Sequence, residues 1–336
     1  MSHARAIVAV LVLAVVGCEG KDFAKGFRTT DAVQRESWVQ VDPSPVDILW
    51  VVDTSCSMMD EQEALATNFP GFTEFFLETG VSFRLGVTST NVGEQDSAGL
   101  DGALNDGWLD GDTENLQEEW VARALMGIDD QHSQEKGLHA AWTALEELGD
   151  GPNAGFVRDD ADLAVVVVSD EPDYSTLGQP DSGQFIAADD FSSWLDDFKG
   201  DPERTQLSAI VGISPDGVES PEGCNQDENS QQQGTGAFRG DGYLEAAAAT
   251  EGAWQSICSE DWTEMLRLLG LLTAGLQDTF VLSKPAYSDT MRVTVNGLNT
   301  NQWEFDFELN AVVFLTSEAI PRPGQTIEVQ YEERVD

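Results

Sequence analysis

Residues Leu163 to Val168 read LAVVVV, a run of aliphatic, mostly β-branched side chains with no polar face. Such a strand is stable only when both of its faces are covered, the condition of a strand inside a parallel sheet. Asp47 to Val52 (DILWVV) repeats the pattern, and Val81 to Val87 and Leu207 to Ile213 supply two further strands. The segments between them carry apolar residues at helical spacing. Met59 to Thr79 places Leu65, Phe69, Phe72, Phe75 and Phe76 on such a stripe, despite Pro70. Similar patterns cover Glu114 to Met126, Glu135 to Leu148, Gln184 to Phe198, Tyr243 to Glu251 and Asp261 to Leu276. Strands alternating with helices predict an α/β fold, a doubly wound and mainly parallel sheet flanked by helices.

The pattern changes at both ends of this region. From Thr279 to Asp336 the runs are short and alternating, divided by Asn296-Gly297, Asn310 and Pro323-Gly324, which are turn signals between antiparallel strands. A small antiparallel β module is expected over 279–336, after a main domain spanning 46–278. At the other end, Arg5 precedes an apolar run, Ala6 to Val16, that is too short to span a bilayer. The run closes on Val15-Val16-Gly17-Cys18, which resembles the lipobox of bacterial lipoproteins. That resemblance implies a signal peptide over 1–17 and lipidation of Cys18. The protein would then be held in the cell envelope by its acyl chains alone. Glu19 is not an inner-membrane retention Asp, so the outer membrane is the expected address. Residues 18–45 lack clear periodicity and are expected to act as a tether.

Charge narrows the partners. The chain has 61 acidic and 17 basic residues, a net charge of −44, so it repels nucleic acid and anionic lipid surfaces and attracts divalent cations. Export implies an oxidising compartment, which makes Cys224 and Cys258 the disulfide candidates on either side of the Gln/Gly/Asn-rich stretch 225–242. Cys56 remains unassigned. A buried small thiol is its ordinary reading, and redox control of its neighbours is the alternative.

The chemistry centres on Asp53-Thr54-Ser55-Cys56-Ser57, which directly follows one apolar strand and precedes a helix. A second apolar strand ends in Asp170. Ligand crevices in open α/β sheets lie beyond the carboxyl ends of the strands, where both aspartates fall. Two carboxylates and two hydroxyls form an all-oxygen shell suited to a hard cation such as Mg²⁺ or Ca²⁺. The alternative is structural: a serine capping the helix, and Asp53 near its positive end.

The sequence Asp53-x-Ser55-x-Ser57 resembles the opening motif of the metal-ion-dependent adhesion site in von Willebrand factor type A (VWA) domains. Over most of its length the chain looks like the VWA-containing lipoproteins of bacterial cell surfaces. The resemblance implies a divalent cation, Mg²⁺ first and Ca²⁺ or Mn²⁺ next, held by Asp53, Ser55, Ser57 and Asp170, with Asp170 acting through water. It also implies a Thr or Ser from a loop before a central helix. Ser133 is the candidate, although the family spacing falls nearer His132. An open coordination position on such an ion would take a carboxylate from a protein or glycan partner. Cys56 departs from the commoner Gly or Asn at its place. The pairing of Cys224 with Cys258 also fits the resemblance.

Other readings are weaker. Asp101, Asp106, Asp110 and Asp112 lie in a Gly-rich stretch, but their spacing does not follow the calcium-loop rule. His132 and His139 are the histidines left once the signal is removed, and no nucleophile elbow, zinc-protease helix or phosphate loop is present. The chain is therefore expected to be non-enzymatic: a metal-dependent adhesion module, or else a structural scaffold of an envelope complex with a vestigial metal site.

Overall fold

The computed structural model describes residues 33–92, 100–127, 134–175, 187–214, 216, 220–224 and 236–334. The chain divides into two compact units, Pro43–Gly275 and a second made of Leu276–Asp336 with the residues before Pro43. Strand β1 (Val33–Val39) belongs to the second unit. The first unit carries, in order, β2 (Val46–Val52), α1 (Met59–Thr79), β3 (Phe83–Ser89), β4 (Trp108–Asp110), α2 (Leu116–Ala124), α3 (Gly137–Trp142), β5 (Asp162–Ser169), α4 (Ala188–Phe198), β6 (Thr205–Val211), α5 (Tyr243–Ala249), β7 (Trp254–Ser256) and α6 (Trp262–Thr273).

Its six-stranded sheet has the order β4-β3-β2-β5-β6-β7, and only β4 runs antiparallel to its neighbour. Every residue of β2 is buried, as are all but the first of β5, which accounts for their unbroken apolar sequences. Alternate side chains of β2 serve different faces. Leu49 and Val51 join the cluster formed with Leu138, Phe191, Leu195 and Tyr243 from α3, α4 and α5. Trp50 instead meets Phe72 of α1 at 5.0 Å and Trp120 of α2 at 5.2 Å between ring centroids. On that face α1 and α6 approach closely through two glycines. A Cβ on Gly71 would lie 2.8 Å from Thr263 O, and one on Gly270 would lie 2.2 Å from Phe72 O.

The order of the strands reverses at β2 and β5: the chain leaves β2 for β3 on one side and β5 for β6 on the other. A crevice opens outside the carboxyl ends of two strands at such a point. At the amino end of β2 a different device holds the sheet. Asp47 is fully buried and accepts hydrogen bonds from the backbone N–H of Arg158 at 2.5 Å and from its Nε at 2.7 Å.

The second unit contains β8 (Thr279–Val281), β9 (Arg292–Val295), β10 (Leu298–Thr300), β11 (Glu304–Asp306), β12 (Ala311–Val313) and β13 (Thr326–Glu332), with β1. They form a four-stranded sheet, β1-β13-β9-β10, and a three-stranded sheet, β11-β12-β8, antiparallel throughout. Trp38 of β1 packs on Phe280, 5.7 Å between centroids, and Phe280 on Phe314 at 5.8 Å.

The structure adds detail that the sequence reading did not give. Residues 33–39, expected to be tether, form β1, because Gln34, Glu36 and Trp38 alternate as the half-buried face of a strand paired along its length with β13. The main unit accordingly closes at Gly275, with the residues before Pro43 assigned to the β-rich unit. The Gly/Asp-rich stretch after β3 contains the short strand β4, carried by Trp108 and Leu109 among turn residues. The signal segment and Cys18 lie outside the described residues. Among those described, no helix is long and apolar enough to cross a membrane.

Candidate functional site

Asp53 is delivered by the end of β2. Its backbone N–H still donates to Val168 O of β5, at 2.9 Å, so the residue leaves the sheet at a fixed point between the two strands. Its backbone carbonyl accepts from Gln62 Nε2 on α1 at 2.9 Å, and the same amide reaches Gly127 O at 3.1 Å. The side chain, fully buried, receives Ser55 N–H on Oδ1 at 2.7 Å and Ser169 Oγ on Oδ2 at 2.6 Å. Ser169, the last residue of β5, thus belongs to the site, and the sequence reading missed it. The signal was its place directly before Asp170.

The two motif serines do not cap a helix: neither the short 3₁₀ turn Cys56–Met58 nor α1 takes a side-chain capping bond. Their hydroxyls instead lie 3.1 Å apart, and Ser55 Oγ lies 3.5 Å from Asp170 Oδ1. The structure therefore brings Asp53, Ser55, Ser57 and Asp170 to one end of the sheet. The turn points Met58 inward and leaves Cys56 exposed, which corrects the expectation of a buried thiol. Ser133 and His132 lie outside the described residues.

The same loop nevertheless contributes. Glu135, two residues before α3, is fully buried and accepts Thr90 Oγ1 on Oε2 at 2.5 Å. Thr90 follows β3, so its hydroxyl braces a side chain from another element. Its neighbour Asn91 donates from Nδ2 to Thr54 Oγ1 at 3.0 Å.

Electrostatically this end of the sheet is under tension. Burial and the Glu135 charge push the Asp53 carboxyl up to about 8. Burial and the Asp53 charge push Asp170 up to about 7. Burial raises Glu135 to about 6, with Glu171 and Asp170 adding to the rise. Carboxyl groups packed this way hold their protons near neutrality unless a cation replaces them. Asp173 is a neighbouring case with a different role. It is raised to about 7 by burial, yet its oxygens are committed to Ser175 Oγ at 2.8 Å, Ser175 N–H at 3.2 Å and Leu138 N–H at 3.3 Å, fastening the start of α3.

The donor set is all oxygen, as a hard cation requires, and Glu135 Oε1 is a buried carboxylate oxygen that no donor reaches. Both observations fit Mg²⁺ or Ca²⁺. Among the described residues no three Asp, Glu, His or Cys side chains are gathered so as to hold a metal by themselves, so an ion here would depend on the serine hydroxyls as well. The acidic loop does not converge either: Asp106 pairs with Arg123 at 3.2 Å, and Asp110 accepts Asp112 N–H at 3.0 Å and Thr113 Oγ1 at 3.2 Å. Cys224 and Cys258 are joined as a disulfide, as expected. His139 sits on α3 beside the Trp142 ring, 6.2 Å between centroids, with its basicity lowered by burial and Lys136.

No known family profile matches the sequence, and no curated protein sequence matches it. Among solved structures, the chain is similar to the pilus adhesin SpaC from Lactobacillus rhamnosus GG in its open conformation, at 12% identity and a TM-score of 0.43, over 93% of this chain and 42% of that one. It is similar to proximal thread matrix protein 1 of the mussel byssus at 12% identity and a TM-score of 0.36, over 74% of this chain and 51% of the other. For the pilus adhesin RrgA from Streptococcus pneumoniae the identity is 10% and the TM-score 0.34, over 90% of this chain and 58% of the other. The chain thus spans less than two thirds of each of these proteins, and likenesses at this level decide neither family nor function.

Proposed function

We propose that this chain is a cation-dependent binding module of VWA type, exported and tethered to the cell envelope through Cys18, and that it acts by adhesion rather than catalysis. In this reading Asp53, Ser55, Ser57 and Asp170 surround a divalent ion, Mg²⁺ first and Ca²⁺ or Mn²⁺ next. Asp53 and Asp170 orient the serine hydroxyls and balance the charge. The hydroxyls contact the ion as neutral oxygens, leaving it electropositive. A bound ion supplies a Lewis-acidic position that a carboxylate on a protein or glycan partner would fill. Ser57 is half-buried and Cys56 beside it is exposed, so a partner can approach the turn.

The observation that carries this reading is the geometry at the switch point. Two serine hydroxyls withheld from helix capping stand between two buried aspartates at the carboxyl ends of adjacent parallel strands. The test is calorimetric titration of Mg²⁺, Ca²⁺ and Mn²⁺ into the full chain and its Asp53→Ala variant. One stoichiometric site, lost in the variant, is the expected result. Binding that survives the substitution would place the cations elsewhere on an acidic surface and end the proposal.

A further inference from the structure

We infer that Glu135 is the carboxylate that binds the cation directly, with Thr90 as its positioning residue. This rests on the cation reading above and adds to it a ligand that the motif resemblance does not supply. In that resemblance the loop before α3 offers a hydroxyl; here it delivers a carboxylate.

The geometry separates Glu135 from its acidic neighbours. Both oxygens of Asp53 are engaged, Oδ1 by Ser55 N–H at 2.7 Å and Oδ2 by Ser169 Oγ at 2.6 Å. Asp170 is addressed by the motif hydroxyls. Glu135 has one oxygen, Oε2, held by Thr90 Oγ1, while Oε1 meets no donor although the side chain is fully buried. An unpartnered carboxylate oxygen in such a place is destabilising unless something positive faces it. The Asp53 carboxyl lies within hydrogen-bond reach of the Glu135 side chain, so the two carboxyls share this end of the sheet. Glu61 Oε2 is also without a donor, but that side chain is only half-buried on α1.

The backbone around Glu135 is fixed on both sides. Tyr174 N–H donates to Glu135 O at 2.6 Å, and Lys136 N–H to Thr90 O at 3.2 Å. Glu135 is thereby clamped between the segment following β5 and the segment following β3. A single direct carboxylate leaves a divalent ion with a net positive charge, so the open position still favours an acidic partner. It also strengthens ion binding before any partner arrives, which hydroxyls alone do weakly.

The experiment titrates Mg²⁺, Ca²⁺ and Mn²⁺ alone into the full chain and into Glu135→Gln, Thr90→Ala and Asp53→Ala, and reads the thermal shift each ion causes beside the midpoint in EDTA. Glu135→Gln keeps the shape and the Thr90 contact but removes the charge. Its cation affinity is expected to fall at least about tenfold, with an EDTA midpoint at or above wild type; Thr90→Ala is expected to lose less. If Glu135→Gln binds cations as wild type does while Asp53→Ala does not, Glu135 is not a ligand and the inference falls with the cation site intact. If both variants bind as wild type does, the cation reading fails with it. Should Glu135→Gln not fold in EDTA, Glu135→Asp draws the carboxylate back by one methylene. An undiminished cation-induced shift in that variant would overturn the inference.

Discussion

Replacing Asp53 with Asn isolates the cost of burying an acid at the end of β2. Burial and the Glu135 charge raise the folded-state carboxyl from 3.8 to about 8. A raised folded value means that the proton bound by the native state stabilises it at low pH. That contribution is lost as pH rises between the ordinary value and about 8. Between pH 5 and pH 7 the unfolded chain has already released this proton and the folded chain still holds it. The slope is then about −1.4 kcal/mol per pH unit, so wild type loses about 3 kcal/mol over that interval from this group alone. Asparagine does not titrate. Chemical denaturation in EDTA at pH 5, 6 and 7 should therefore show Asp53→Asn gaining on wild type by about 3 kcal/mol. Saturating Mg²⁺ should abolish the gap by displacing the proton from wild type. Self-repulsion of a chain with a net charge of −44 acts on both proteins alike and cancels in the difference. Parallel profiles for the two proteins would refute the account of Asp53 as a proton-holding acid.

Other parts of the structure give sharp expectations. Ser169→Ala removes the hydroxyl that orients Asp53 Oδ2, and calorimetry should show cation affinity falling about tenfold with the fold intact. Gly270→Ala would place a Cβ 2.2 Å from Phe72 O, so the α1–α6 contact must open; a loss of about 1–3 kcal/mol in denaturant unfolding is expected. Replacing both Cys224 and Cys258 with Ser frees a loop with a sequence separation of 34, and stability should fall by about 4 kcal/mol, with no further loss on adding reductant.

Much of the larger unit was legible because its central strands have no polar face. The runs DILWVV and LAVVVV admit a single environment, and the residues that end them are set by the same geometry. Asp53 and Asp170 were therefore findable without a structure. Ser169 and Glu135 were not. Ser169 looks like the last polar step of a strand, and its bond to Asp53 joins residues 116 positions apart. Glu135 sits among other polar residues in a loop, and its burial comes from Thr90 and Tyr174, which the chain brings up from other elements. The second unit hid its first strand for a related reason. The sequence VQRESWV has only Trp38 as a large inward residue, and its partner β13 lies near the opposite end of the chain.

The most direct test of the cation site is anomalous diffraction from crystals of the chain grown or soaked with Mn²⁺. The account predicts a single strong peak at the carboxyl ends of β2 and β5, in contact with Ser55 Oγ and Ser57 Oγ and about 2.2 Å from its oxygen ligands. Peaks confined to the acidic loop around Asp106 and Asp110, with none between Asp53 and Asp170, would contradict it.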